Sequence, residues 1–407
     1  MNGKRRSPRV LIYSHDSFGL GHLRRCRTIA HAMCEVNEEL SVLILSGSPI
    51  IGSFDFRSRV DFVRVPGVIK LRNGEYTSLT LPMAIEDAIA MRASIIRHTA
   101  EVFQPDIMLV DKEPFGLRGE LAQTLETMKS RGTRIVLGLR DVLDDPVQLQ
   151  EEWKRKNAVA ALEEFYDEIW IYGLPQICEP LNGLDLPRSI HRMISYTGYL
   201  KRTVDDSVVP ELPVVKRDDP FILVTPGGGG DGEELVDWVL RAYEFDSSLP
   251  LRAMIVFGPF MQPERRAEFT ARADALPRVE VITFDAHMEA LMARSLGVVA
   301  MGGYNTFCEI LSFDKRALIV PRTEPRTEQL IRASRAQELG LLTMLRGDAD
   351  RKAEVMATAL RQLPQQSLPS RSVVPGLLDG LTNVNILTRR ALEQRTRPTL
   401  ARRRALA

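Results

Sequence analysis

The first stretch of this chain whose residue types and spacing could do chemistry is a glycine loop carrying a histidine, SHDSFGLGHLRRC at residues 14–26. Gly19 and Gly21 let the backbone bend closely around a ligand, and His22 stands at or just before a helix start. An imidazole titrates near neutral pH, so His22 can serve as a general base, or it can be a capping or core histidine. His15 and Asp16, just before the loop, can orient that base, bind acceptor hydroxyls, or be satisfied by backbone. Asp111, in PDIMLVDKEPFG, offers a second carboxylate for base work, while Lys112 and Glu113 beside it are either part of an acceptor-side cluster or solvated charges. Arg140, in TRIVLGLRD, can meet a phosphate or carboxylate on an acceptor, or form an internal ion pair.

A second set of residues suits a sugar joined to a nucleoside diphosphate. In TPGGGGDGEE, Gly228, Gly229 and Gly230 can lay amide N–H groups against a diphosphate, with the dipole of the following helix adding favourable charge, or can form a plain flexible turn. No G-K-[ST] follows, which disfavours a Walker loop, and the next strand run, LRAMIVFGPF, ends without the ribose-binding acid of a dinucleotide site, which disfavours NAD. In Met301–Ala333, Gly302 and Gly303 allow close approach, and the amides of Tyr304–Thr306 open a helix toward any phosphate placed there. Glu309, one turn on, can accept both hydroxyls of a ribose, and Glu328 and Gln329 can bond a hexose. The Asp348–Asp350 pair follows Gly347 and precedes a helical pattern, so capping explains it better than a metal, and no metal is expected.

These residues sit at the ends of short apolar runs that alternate with helical patterns. RVLIYS, SVLILSG, DFVRVPG, PDIMLVD, TRIVLGLRD, EIWIYG and SYTGYL read as strands of a first α/β half, with helices over 82–103 and 120–129 between them. After a charged, proline-bearing stretch at 201–219 the text restarts with FILVT, then LRAMIVFGPF, VEVITF, GVVAM, ALIVP and GLLTML. Such alternation is most economically solved by parallel doubly wound sheets. The chain of 407 residues exceeds one ordinary core, so the expected division is 1–205, 206–375 and a helical tail at 376–407.

The Met301–Ala333 stretch resembles the donor-site motif of GT-B glycosyltransferases, especially those similar to the peptidoglycan UDP-N-acetylglucosamine transferase. The shared features are the glycine turn, the helical Glu, the buried VP strand and the Gln-bearing loop. The resemblance assigns Glu309 to ribose and Gln329 to sugar. It departs from the family at Gly303, where a Ser or Thr is usual, although Thr306 is close. It further implies a GT-B architecture with the site in a cleft between two Rossmann-like halves, a last helix returning to the first domain, and no metal. The region of Phe284, Asp285 and His287 would then face the nucleotide base. GLGHLRRC also resembles the loop of the UDP-sugar hydrolase of pseudaminic acid synthesis, a GT-B relative whose loop histidine activates water, which carries to His22.

The function expected is an inverting, metal-independent glycosyltransferase using a nucleotide-diphosphate sugar such as a UDP-sugar as co-substrate, with no further cofactor. The alternative is a nucleotide-sugar hydrolase; a silent binding module and an epimerase complete the set. The acceptor is expected to be a lipid-linked or small-molecule glycan. Apolar content of 44% and charged content of 26% fit a soluble enzyme, and a net charge of +1 does not point to nucleic acid, which is not expected as a partner. The four scattered cysteines form no C-x-x-C pair, and no apolar run is long enough for a membrane span, so a cytoplasmic location is expected. The Arg-rich tail offers peripheral contact with acidic lipid headgroups.

Overall fold

The computed structural model describes residues 6–16, 20–70, 75–204, 220–228, 230–283, 288–324, 326–347 and 351–396. Gly19, Gly229, Phe284, Asp285, His287, Asp348–Asp350, most of the 201–219 stretch and the basic end of the tail lie outside the described residues.

In the first half the strands are β1 (Arg9–Tyr13), β2 (Ser41–Ser46), β3 (Val60–Arg64), a small antiparallel hairpin of β4 (Val68–Lys70) and β5 (Tyr76–Ser78), then β6 (Ile107–Asp111), β7 (Arg134–Arg140), β8 (Glu168–Tyr172) and β9 (Ile194–Tyr196). All but the hairpin form one parallel sheet in the order β3-β2-β1-β6-β7-β8-β9. The second half has β10 (Phe221–Thr225), β11 (Arg252–Val256), β12 (Val279–Ile282), β13 (Gly297–Ala300), β14 (Arg316–Ile319) and β15 (Thr343–Met344), parallel in the order β12-β11-β10-β13-β14-β15. Sequences such as IMLVD and FILVT are buried along their whole length because helices cover both faces of each sheet, which is why they read as apolar runs rather than alternations.

In both sheets the chain reverses its winding beside the first strand, between β1 and β6 and between β10 and β13. Helices leave in opposite directions at that point, opening a crevice beyond the strands' carboxyl ends. The loops after β1, β6, β10 and β13 therefore border the crevice, and they hold the 14–26, Asp111, 225–234 and Gly302 segments.

The helical periodicity of 82–103 becomes a helix over Ile85–Phe103, and that of 120–129 one over Ala122–Ser130. Two helices, Pro146–Arg155 and Ala158–Phe165, and the β4–β5 hairpin were not legible as such in the sequence. The tail forms a helix over Gly380–Thr396. It docks on the first half: Tyr199 N–H donates to Leu377 O at 2.8 Å, Asn383 Nδ2 donates to Thr197 O at 2.8 Å, and Val384 and Ala391 pack with Cys26 and Ile29.

The halves are joined by buried charge. Arg332, on the helix Glu328–Glu338, makes a two-pronged bond to Asp141 beyond β7, Nε to Oδ2 at 2.7 Å and Nη2 to Oδ1 at 2.6 Å. Tyr199 Oη donates to the same carboxylate at 2.7 Å. Removing one partner of such a pair leaves the other charged and out of water, which is costlier than losing the pair whole. Asp141→Ala should therefore lower stability by about 3–5 kcal/mol, read from the midpoint of urea unfolding, whereas Asp141→Leu combined with Arg332→Leu should recover much of that loss.

Candidate active site

His22 lies in the first turn of the helix Gly21–Val36, whose first residue follows directly from the glycine loop. Its Nδ1 is bonded to Asp111 Oδ2 at the end of β6. Arg25, three residues on and thus on the same helical face, bonds Asp111 Oδ1 through Nε at 3.0 Å and through Nη2. The acid accepts from both, so the imidazole carries its proton on Nδ1 and presents an unprotonated Nε2. Arg25 Nη2 also sits 3.0 Å from Nδ1, but it is the ionised Asp111 oxygen, which can only accept, that places the proton on this nitrogen.

Electrostatics support that arrangement. Burial pushes His22 down to about 4, against the pull of Asp111, so the ring is neutral at physiological pH. Burial opposes ionisation of Asp111, but the Arg25 guanidinium and His22 overcome it and hold the carboxyl far below its ordinary range. Asp111 is accordingly a fixed anion that orients the ring rather than a second base. His15 is also buried and driven toward the neutral form by desolvation; its ring lies 5.7 Å from that of His22, and its Nδ1 has no partner. Asp16 accepts from Ser46 Oγ at 2.6 Å, and burial raises it to about 6.

Across the crevice, Gly302 and Gly303 lead into the helix Tyr304–Ser312. Gly302 has φ +80°, and a Cβ there would meet Ile319 Cγ2 at 2.8 Å, so the fold requires glycine at this position. Gly303 differs: its φ is −58°, and a Cβ would meet nothing within 4 Å. No side chain caps this helix start, so the amides of Tyr304–Thr306 face the crevice with the positive end of the helix dipole. Thr225–Gly228, Gly230 and Asp231 form the adjoining wall, with Gly227 pressed against Gly258, where a Cβ would lie 2.5 Å from Gly227 O.

His22, Gly21, Arg140, Gly228, Gly230, Gly302, Gly303, Thr306, Glu309, Glu328 and Gln329 all line one cleft of about 240 Å³. Glu309 is buried there but not vacant: Arg24 of the opposite half bonds its Oε1 and also donates to Glu289 Oε1 at 2.8 Å. Burial raises Glu309, while burial of Glu289 is outweighed by Arg24, which holds it down at about 2. Gln329 Oε1 accepts from the Arg322 amide at 3.1 Å, and Glu328 Oε1 accepts from Arg322 Nη2 at 2.7 Å. Asn305 Nδ2 donates to Gly21 O at 3.0 Å, tying the loop helix of one half to the loop helix of the other.

Arg24, Arg25, Glu289, Asn305 and Arg322 had not been singled out in the sequence. The His22–Arg25 spacing was a readable signal of a shared face; that consecutive arginines 24 and 25 serve opposite sides of a cleft was not. Cys26 and Cys308 are buried, and desolvation raises both thiols, which gives them packing rather than nucleophilic roles.

Comparison with known proteins agrees with this geometry. Residues 222–369 match the glycosyltransferase family 28 C-terminal domain. An uncharacterized glycosyltransferase of Methanosarcina mazei is 22% identical over 346 residues, covering 80% of this chain and 83% of its own. Among solved structures, the UDP-GlcNAc 2-epimerase of Neisseria meningitidis, bound to UDP-GlcNAc, aligns at TM-score 0.61 and 13% identity, covering 95% of this chain and all (100%) of its own. Acinetobacter baumannii MurG aligns at TM-score 0.53 and 12% identity over 95% of this chain and 98% of its own. The fold is GT-B.

Two outcomes follow. Gly302→Ala should lower the unfolding midpoint markedly, whereas Gly303→Ala should lower it only slightly, by about 1 kcal/mol at most for the lost N-cap glycine, because no atom is in the way. A loss of nucleotide binding in Gly303→Ala without a further loss of stability would show that the position is kept small for a ligand.

Proposed function

Taking the chain as a glycosyltransferase of the GT-B fold, we propose that it moves a sugar from a nucleoside-diphosphate donor to an acceptor hydroxyl with inversion and without a metal. The observation that carries this reading is that a neutral histidine oriented by a buried carboxylate and an uncapped, glycine-led helix start line the same cleft from opposite halves.

The donor lies against the second half, its diphosphate on the amides of Tyr304–Thr306 and beside the Gly227–Gly230 wall, its sugar toward Glu328 and Gln329. The acceptor oxygen attacks the anomeric carbon from the side of the first half. As the new bond forms, the bond to the diphosphate breaks and its electron pair leaves on the phosphate oxygen. The hydroxyl proton passes to His22 Nε2. Asp111 stabilises the imidazolium that results, and helix amides gain strength as charge develops on the leaving group. These amides take over charge stabilisation that a divalent ion would otherwise provide.

Glu309 takes the ribose hydroxyls once Arg24 lets go of it. Arg24 can do so without being stranded, because Glu289 already holds the same Nη2. Donor binding then exchanges one charge contact between the halves for contacts with ligand. The site reads as cytoplasmic: all four cysteines are free, in keeping with a reducing compartment, and no helix among the described residues is long and apolar enough to cross a membrane.

The deciding experiment is a donor screen by mass spectrometry that follows nucleoside-diphosphate release with and without a cell extract as acceptor source. Acceptor-dependent release supports transfer. Fast, stoichiometric release of free sugar without extract would replace it with hydrolysis. His22→Ala should lower turnover by about 10²–10⁴ with donor affinity retained. The acid limb of kcat/KM should fall near pH 4: protonation as pH drops through the lowered His22 value removes the base, so activity is kept above it and lost below. Glu309→Gln should weaken nucleotide binding about tenfold or more by calorimetry, since hydrogen bonds to a charged group contribute about 1.5–3 kcal/mol.

A further inference from the structure

Four arginines line the cleft, and three have carboxylate partners: Arg25 with Asp111, Arg24 with Glu289 and Glu309, Arg322 with Glu328 and Asp231. Arg140, the last residue of β7, has none among the described residues, and its Nε is buried without a partner. The adjacent Asp141 does not supply one, because Arg332 takes both of its oxygens and Tyr199 shares one. Glu328 is near enough to favour the Arg140 cation, but its bond goes to Arg322. A guanidinium withdrawn from water without a hydrogen-bonded counter-charge is a standing cost, and burial pushes Arg140 down to about 10 in spite of the pull of Glu328.

Lys112 stands at the end of β6, the neighbour of β7, directly after the acid that orients His22; its amide donates to Gly138 O at 2.9 Å. Its φ is +71°, a conformation that residues with a Cβ seldom adopt and that clusters at functional sites. The ammonium reaches Glu113 only at 3.7 Å, and Glu113 is held more closely by Lys156 at 2.8 Å. Burial, then Arg326, Arg140 and Lys156 against the pull of Glu113, bring Lys112 down to about 8. Two under-compensated cations thus stand on adjacent strand ends: Arg140 lines the cleft across from the amides assigned to the donor, and Lys112 lies behind the cleft lining, near enough to act on the charge of both Arg140 and His22.

We propose that Arg140 and Lys112 bind an anionic group of the acceptor, a carboxylate or a phosphate, and so set the acceptor hydroxyl before His22 Nε2. This rests on the transfer reading above and adds the acceptor's chemical class. Arg140 gains the counter-charge it lacks, and its planar fork suits two-pronged contact with either group. Neutral acceptors of the same shape would leave both cations unpaired and be rejected on that ground.

The test is calorimetric titration of the full chain with inorganic phosphate and, separately, with malonate, in saturating UDP so that the donor's phosphate site is filled. At least one anion is expected to bind with UDP present, and the tighter of the two identifies the acceptor group as phosphate or carboxylate. Arg140→Gln should weaken that binding by about tenfold or more, and Lys112→Gln by a smaller factor, with the UDP affinity of both variants within about twofold of the parent and unchanged melting. Absence of binding by both anions, displacement of the anion by UDP, or full retention in Arg140→Gln overturns the proposal; displacement would assign Arg140 to the leaving diphosphate. Should UDP itself not bind, a uridine donor is excluded and the transfer reading is decided by the donor screen above, while the same titrations without UDP still decide whether the cation pair holds an anion.

Discussion

Asp111 carries a full negative charge where almost no water reaches it, and the cleft is arranged around keeping it so. Burial alone would favour the protonated form. Arg25 opposes that with two donors on one oxygen, and His22 occupies the other. Because the carboxylate accepts from Nδ1, the ring has one tautomer and one orientation, and the lone pair of Nε2 is turned toward the cleft. Without the Arg25 bonds, a buried acid beside a buried imidazole would be free to share a proton, and the base would be lost to its own neighbour. Placing the acid at the end of a central parallel strand fixes it more rigidly than any loop could.

The same economy of charge holds the two halves together. Arg332 crosses to Asp141, Arg24 to Glu309 and Glu289, and Arg202 Nη2 to Asn305 Oδ1 at 2.7 Å. The apolar contacts that also join the halves, such as Tyr199 against Phe307, are insensitive to a ligand, whereas charge contacts are strong only while their partners remain in place. Arg24 is the most informative of these, since it sits on the carboxylate proposed above to take the donor's ribose. On that proposal, occupation of the donor site is linked to how the halves meet, through one side chain with two acceptors to choose between.

Much of this was legible in the sequence, for definite physical reasons. Strands buried on both faces must be apolar throughout, so the parallel sheets showed as runs of Val, Ile and Leu, and the glycine turns marked where backbone bends sharply at the strand ends. Gly302, Glu309, Asp111 and His22 could be picked out because their types are unusual for those positions. The partners of the arginines could not. A long flexible side chain reaches across several residues and between domains, so its local sequence does not encode what it will meet; Arg24 and Arg25 are neighbours in the chain and serve opposite walls. The Pro146–Arg155 helix was missed for a related reason: it is mostly polar, with only Leu149 and Trp153 buried, and so carries little periodic signal. Glu309 was legible as a cleft carboxylate, but its engagement with Arg24 was not.

What distinguishes a binding surface from the rest of this interface is which polar groups remain unspent. Most arginines and acids here are satisfied by one another, as a buried charge must be. Among the described residues several exceptions line the cleft: the helix amides after Gly303, Glu328 Oε2, Tyr304 Oη and the Nε of Arg140. Each carries a desolvation cost that folding has not offset, and a fold that tolerates several of them in one cavity must recover the difference elsewhere or through a ligand. Their signs also differ across the gap. On the second half the unspent donors are neutral amides, which suit a diphosphate and strengthen as further charge builds on it; on the first half Arg140 is a fixed charge, suited to an anion whose charge does not change during reaction. A leaving group needs the former kind of contact, and a substrate that must be positioned before reaction needs the latter.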